Sequence, residues 1–491
     1  MKRRHFLRQA MALPAMTLLA DWVLADPYRP LPSLTSSGAP VRIRGMVQSG
    51  GKGIPRVAVT DGLSVVTTDA KGMYTLVTTS DRSYVYLSVP SGYQIPTHAT
   101  GTAKFFQFIR PDAKGEMMAN FSLTPLAASD EAHRFLALGD VQTQNKYETG
   151  RFLNETVPDM QATLRKEPAA FGISVGDIMF DDLSLYPDYE AGVQQTGIPF
   201  YQVVGNHDLN FDGFTDESST RTFQQHFGPT YYSFNRGAVH YIVLENVMWF
   251  KGGYLGYITN EQLAWLAQDL ALIEKGRTVV LFWHIPGITT QHTRFKESKP
   301  NIGVSVNNRE AVYQLLRPYQ AHIISGHTHE HEHIFEGGVH EHILATVCGA
   351  WWSGDICTDG APNGYAVFEA KGESLSWRYK ATGQAENFQM HVHPVGSDPA
   401  APDELVVNVW DWDPKWQVVW YEDGIRKGEM ARRTGVDPMA EAQMRGDQKP
   451  ARRPWAEPLP TNHLFYAPVS RSAKTVVIEA TDRFGRTYRQ G

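Results

Sequence analysis

Two cysteines in 491 residues, Cys348 and Cys357, exclude a disulfide scaffold and a cysteine-ligated zinc site. Two readings stay open: one bridge across a short loop after export, or two buried thiols. Beyond residue 25 no stretch approaches the roughly 18 consecutive apolar residues of a membrane-spanning helix, so the exported chain is expected to be soluble. An excess of positive charge is also missing: 46 lysines and arginines face 52 aspartates and glutamates, a formal net charge of −6. That excludes a basic footprint for nucleic acid at the whole-chain level, and no nucleic-acid partner is expected. Internal repeats and long low-complexity tracts are absent too. At this length two or three domains are expected.

The first 25 residues, MKRRHFLRQAMALPAMTLLADWVLA, have a basic start, a short apolar middle and a small-residue end. They read as an export signal cut after Ala25, and Arg3 and Arg4 followed by Phe6 and Leu7 fit the twin-arginine type. The expected location is periplasmic or secreted. A linker over 26–40 leads to short β-branched runs with turns at Asp61-Gly62 and Asp69 to Gly72, which predict a β-sandwich over 41–125. From 126 to 382, apolar runs alternate with helix-period segments. One helix is marked by Thr259 and Gln262 in capping-box spacing, with Leu263, Leu266, Leu270 and Ile273 on a stripe. That alternation predicts an α/β core, and a third, β-rich module is expected over 383–491.

The chemistry-bearing residues of the central region sit directly after its apolar runs. FLALGDVQ delivers Asp140 and Gln142, ISVGD delivers Asp177, and YQVVGNHD delivers Asn206, His207 and Asp208. VVLFWHIP delivers His284, and IISGHTH delivers His327 and His329. In open α/β sheets, sites form outside the carboxyl ends of the strands, so five strand ends can converge. A glycine before the ligand-type residue allows a sharp turn and close approach.

These five motifs, in this order over residues 134–375, resemble the calcineurin-like metallophosphoesterase family: Asp-x-His, Gly-Asp, Gly-Asn-His-Asp/Glu, a later His, and Gly-His-x-His. The flanking modules resemble the accessory domains of secreted bacterial members. The resemblance implies an α/β (α+β) fold, a four-layer α-β-β-α sandwich flanked by the two β domains. It implies two divalent metal ions, with Asp140, Gln142, Asp177 and His329 around the first. Asp177 would bridge to a second held by Asn206, His284 and His327. Gln142 stands where many members have histidine, a neutral, harder donor that points to manganese, with iron or zinc also compatible.

The implied reaction is in-line attack of a metal-activated hydroxide on a phosphate ester of a small substrate. His207 would act as general acid or transition-state stabiliser, and Asp208 either orients it or is a turn residue. Monoester, diester and pyrophosphate substrates stay open, as does oligomeric state. A rival from another class is a secreted binding protein that keeps the fold. Arg294, Lys296 and Lys299 are usable for phosphate recognition or form a solvated loop. Trp351, Trp352 and Asp355 either line the site or are core and turn. His322 reads as structural, and His331 and His333, outside the family motif, are expected along a strand edge or loop.

Overall fold

The structure, a computed structural model, describes residues 38–297, 301–447 and 449–491; the export-signal reading and Lys299 lie outside them. Strand Pro40–Ser49 shows the alternation of a half-buried strand, turning Val41, Ile43 and Val47 inward. With its neighbours it builds a five-stranded sheet, and the strands Ala58–Thr60, Val65–Thr67, Tyr84–Leu87 and Phe106–Phe108 form a four-stranded one.

The central region is built on two sheets. In the first, Phe200–Val203, Phe171–Val175 and Ala132–Leu138 run parallel, and Gly364–Lys371 and Ser374–Ala381 add antiparallel at one edge. The second has the order Tyr232–Arg236, Val239–Val243, Thr278–Phe282, Gln320–Ser325, Val339–Ile343, Glu332–Glu336, with four parallel strands between antiparallel edges. Their inner faces meet through aromatic rings. Phe135 stacks on Phe171 and Phe368, each at 4.9 Å, and meets Tyr241 and Phe282 edge-on at 5.5 and 5.9 Å.

Strands buried on both faces read as continuous apolar runs, which is why FGISV and TVVLF carry no alternation. Helices cover the outer faces. Met160, Tyr189 and Val193 from Val157–Lys166 and Tyr186–Gln194 pack on Leu136, Leu138 and Phe200. Trp265, Leu266 and Leu316 from Asn260–Leu270 and Arg309–Leu316 pack on Ile242, Leu281 and Ile323. Each such buried side chain contributes about 1.5–3 kcal/mol. The architecture is a four-layer α-β-β-α sandwich. Thr259 caps its helix by accepting from the Gln262 amide at 3.3 Å, but Gln262 spends its own side chain on the Glu245 backbone, so only half of the expected box forms.

The N-terminal sandwich shares its core with the central sheets: Phe105 lies 4.4 Å from Tyr232. The C-terminal region is a second sandwich of two four-stranded sheets around Val407, Val418, Phe465 and Ile478. Among the described residues, no helix is long and apolar enough to cross a membrane.

Candidate active site

Asp140, Asp177, Asn206, His284 and His327 each lie just beyond the carboxyl end of a core strand. Three glycines let their loops interlock. A Cβ on Gly205 would lie 2.0 Å from the Asp177 amide nitrogen, one on Gly176 2.4 Å from His284 Nδ1, and one on Gly326 2.3 Å from Asp140 Oδ2. Asp140, Gln142, Asp177, His327 and His329 all have positive φ, between 34° and 73°. Such conformations cost free energy in non-glycine residues and cluster at functional sites.

The histidines are anchored from outside. His284 Nδ1 donates to the Val175 carbonyl at 2.9 Å, His327 Nε2 to Gly303 at 2.8 Å, and His329 Nδ1 to Gly349 at 2.7 Å. A carbonyl only accepts, so in each neutral ring the inward nitrogen is a lone pair. Those lone pairs face other acceptors. His284 Nε2 lies 3.2 Å from Asn206 Oδ1, 3.3 Å from Asp177 Oδ1 and 3.2 Å from His327 Nδ1. His329 Nε2 lies 3.6 Å from Asp140 Oδ1. A buried cluster of mutually facing acceptors is costly unless a cation stands among them, and outer hydrogen bonds of this kind are what orient metal-ligating histidines.

The charges show the same conflict. Burial holds His327 and His329 neutral, at about 3 and about 4. It opposes a charge on His284 as well, yet Asp177 and Asp140 carry that ring up to about 9. Burial raises Asp140 to about 8 against the pull of His284, whereas Asp177, equally buried, is drawn below the usual carboxylate range by His284 and His207. Two buried carboxylates thus compete for the charge of one imidazole, and divalent cations would let both ionise.

The comparisons with known proteins agree with this geometry. A family profile described as calcineurin-like phosphoesterase matches residues 133–331, and profiles for the N-terminal and C-terminal parts of calcineurin-like phosphoesterases match 41–126 and 341–488. The chain belongs to the calcineurin-like phosphoesterases. Purple acid phosphatase 15 of Arabidopsis thaliana is 29% identical over 147 residues, 28% of this chain and 25% of that relative. Purple acid phosphatase 23 of the same plant is 25% identical over 244 residues, 43% of this chain and 50% of its own. The matches thus span from a quarter to half of these relatives' lengths. Among solved structures, a dimetal phosphatase from Danio rerio aligns at 16% identity and TM-score 0.36, over 52% of this chain and 97% of that one. A purple acid phosphatase from Lupinus luteus aligns at 13% and 0.39, over 66% and 67%.

Within this calcineurin-like site, two placements differ from expectation. Gln142 presents its amide nitrogen, not its oxygen: Nε2 donates to Asp177 Oδ2 at 2.8 Å, and Oε1 lies 3.8 Å from the Cys348 thiol. The buried Asp177 carboxylate draws this donor, as it draws the His207 amide at 2.8 Å. Asp208 is the second. Its oxygens accept from the amides of Ile178, Met179 and Gly205 at 2.9–3.0 Å and from the Tyr186 hydroxyl at 3.1 Å. It is a buried loop clamp, pushed up to about 7 by burial and then by the Asp177 charge.

The carboxylate at His207 is instead Asp181, with Oδ1 2.5 Å from Nδ1. The Phe180 ring meets the same imidazole edge-on at 4.5 Å. Its only signal in the sequence was a further acid four residues after Asp177, in the same loop. The C-terminal domain also reaches this rim: Arg453 lies over Phe180 at 4.8 Å and pairs with Glu148 at 2.8 Å. Trp455 packs on Trp351, which stacks on His329 at 4.2 Å. Trp352 is core, donating to the Val141 carbonyl, and Asp355 pairs with Arg151. Arg294 is buried between Glu330 and Glu332, so its charge is spent inside the fold. Cys348 and Cys357 are separate buried thiols. His331 and His333 turn inward from the sheet edge onto Asp411.

Proposed function

We propose that this protein is an exported phosphoesterase using two divalent metal ions, acting on a small phosphorylated substrate. The observation that carries the reading is the convergence of the inward ring nitrogens: His284 Nε2 meets Asn206, Asp177 and His327 Nδ1, and His329 Nε2 faces Asp140. Asp140, Asp177 and His329 fit one ion, and Asp177, Asn206, His284 and His327 a second. Gln142 would join the first if its amide turned over, exchanging its hydrogen bond to Asp177 for a donor oxygen; that hard donor would favour manganese, and iron or zinc would also suit the set. Bound there, the ions supply Lewis-acid polarisation of the phosphoryl oxygens and an activated water.

The chain's own residues do the rest. Asp177, with one oxygen toward each half of the site, ties the halves together. His207 has Nδ1 engaged by Asp181, which leaves Nε2 to hold a proton for the departing oxygen. The interlocked loops fix these groups before substrate arrives, which is where most of the benefit of orientation arises. Export rests on the segment 1–25, and the plant relatives' name, purple acid phosphatase, supports a phosphate-ester substrate. The test is hydrolysis of mono- and bis-aryl phosphates side by side, by the wild type and by Asn206→Ala. The variant is expected to lose metal and activity. A wild-type protein carrying both ions and inert toward both substrates would overturn the reading.

A further inference from the structure

A second histidine cluster lies on the same sheet, at the other end of the strand that leads to His327. Register pairs His322 with His340 across neighbouring parallel strands, and His333 with His342 across the antiparallel edge. Alternation in a strand then puts all four imidazoles on one face. His322 lies five residues before His327, about 16 Å along the strand, so the cluster is distinct from the site above.

Its hydrogen bonds divide it into a finished part and an unfinished part. His331 Nδ1 accepts from the Ala345 amide at 3.2 Å, so its Nε2 carries the proton it donates to Asp411 at 3.0 Å. That ring is satisfied. His333 Nε2 likewise donates to Asp411 at 2.9 Å, which leaves its Nδ1 as a lone pair 3.1 Å from His340 Nε2. The proton of a neutral His340 is thereby placed on Nε2, and its Nδ1 becomes the lone pair. Carboxylate-to-imidazole relays of this kind orient metal-binding histidines.

The unfinished part is His322, His340 and His342. One ring nitrogen from each lies within 4.8 Å of the others. His322 Nδ1 is 3.0 Å from His342 Nε2, and His342 Nδ1 is buried with no hydrogen-bond partner among the described residues. An orphaned polar atom in a fully buried ring costs free energy that a partner would recover. A surface cavity of about 430 Å³, lined by His322, Phe335 and His340, gives access. Arg483, a cation beside the cluster, is paired with Asp413 at 2.6 Å and lies over Phe335 and Trp377.

We propose that His322, His340 and His342 form a further metal site, with an open position toward the cavity. Three imidazoles without thiolate or carboxylate suit Zn²⁺ or Cu²⁺ and not Mg²⁺ or Ca²⁺. A bound ion would join Gln320–Ser325 to Val339–Ile343, the strands that carry these rings.

The experiment compares zinc retained after gel filtration by full-length wild type, His340→Gln, Asn206→Ala and the double variant. His340→Gln is expected to hold one equivalent fewer than wild type, and the double variant one fewer than Asn206→Ala. Equal retention by His340→Gln and wild type would overturn the proposal. An active site that binds nothing would leave the wild type with one equivalent and His340→Gln with none, so failure of the proposed function is told apart. A second measurement needs no change in the cluster. In Asn206→Ala loaded with one equivalent of Cu²⁺, electron paramagnetic resonance should show coupling to three imidazole nitrogens, and a spectrum with one or none would contradict the site.

Discussion

Replacing Asp181 by asparagine removes the carboxylate that meets His207 Nδ1 at 2.5 Å while keeping the loop's size and shape. If His207 donates a proton to the leaving oxygen, the carboxylate acts only through that ring. A hydrogen bond to a charged group contributes about 1.5–3 kcal/mol. The side chains here are 12% and 32% exposed, so screening places the pair in the lower part of that range. A loss of about 1.5–2 kcal/mol corresponds to a kcat about 10–30-fold lower, whereas His207→Ala is expected to cost about 10²–10⁴-fold. Neither change touches the inward donors, since the His207 contact to Asp177 is made by its backbone amide; metal content should be unchanged. The decisive variant is the double one. Because Asp181 works through His207, Asp181→Asn/His207→Ala should be no slower than His207→Ala alone, measured as kcat on an aryl phosphate. A double variant slower by the product of the two single effects would refute this reasoning.

Asp208→Ala should act on stability: it strands three buried amides and the Tyr186 hydroxyl, at a cost of about 3–5 kcal/mol in urea unfolding. A loss under about 1 kcal/mol would mark it as an ordinary turn residue. His133, between the Asp130 carbonyl and the Tyr241 hydroxyl, is lowered by burial to about 4. Its neutral form therefore contributes stability that is complete above pH 6.5 and lost as pH falls toward 4. About 2.5 kcal/mol should go between about pH 7.5 and 4.5. His133→Phe should show a loss smaller by that amount, and an identical pH dependence would contradict the assignment.

The parts of the fold legible in the sequence were those where one local rule dominated. Apolar runs without alternation announced strands buried on both faces, and Gly-ligand pairs announced strand ends. Pairings that depend on distant segments were not legible. Nothing in the turn residues of IMFDD shows that Asp181 and not Asp208 meets His207, because three backbone amides decide where Asp208 points, and two of them, Ile178 and Met179, are positioned by a neighbouring strand end. The orientation of Gln142 is likewise set by the demand of a buried carboxylate 35 residues on. His331 and His333 looked like a polar edge because their partner, Asp411, comes from the C-terminal domain. The same distance hid the reach of Arg453 and Trp455 to the rim of the site.

The central claim, that the converging buried donors hold ions required for phosphate-ester hydrolysis, is tested most directly by chelation. Aryl phosphate hydrolysis by the purified protein should fall to background after exhaustive removal of metal and return when Mn²⁺ alone, or Fe²⁺ or Zn²⁺, is restored. Hydrolysis that persists undiminished in the metal-free protein would contradict the account.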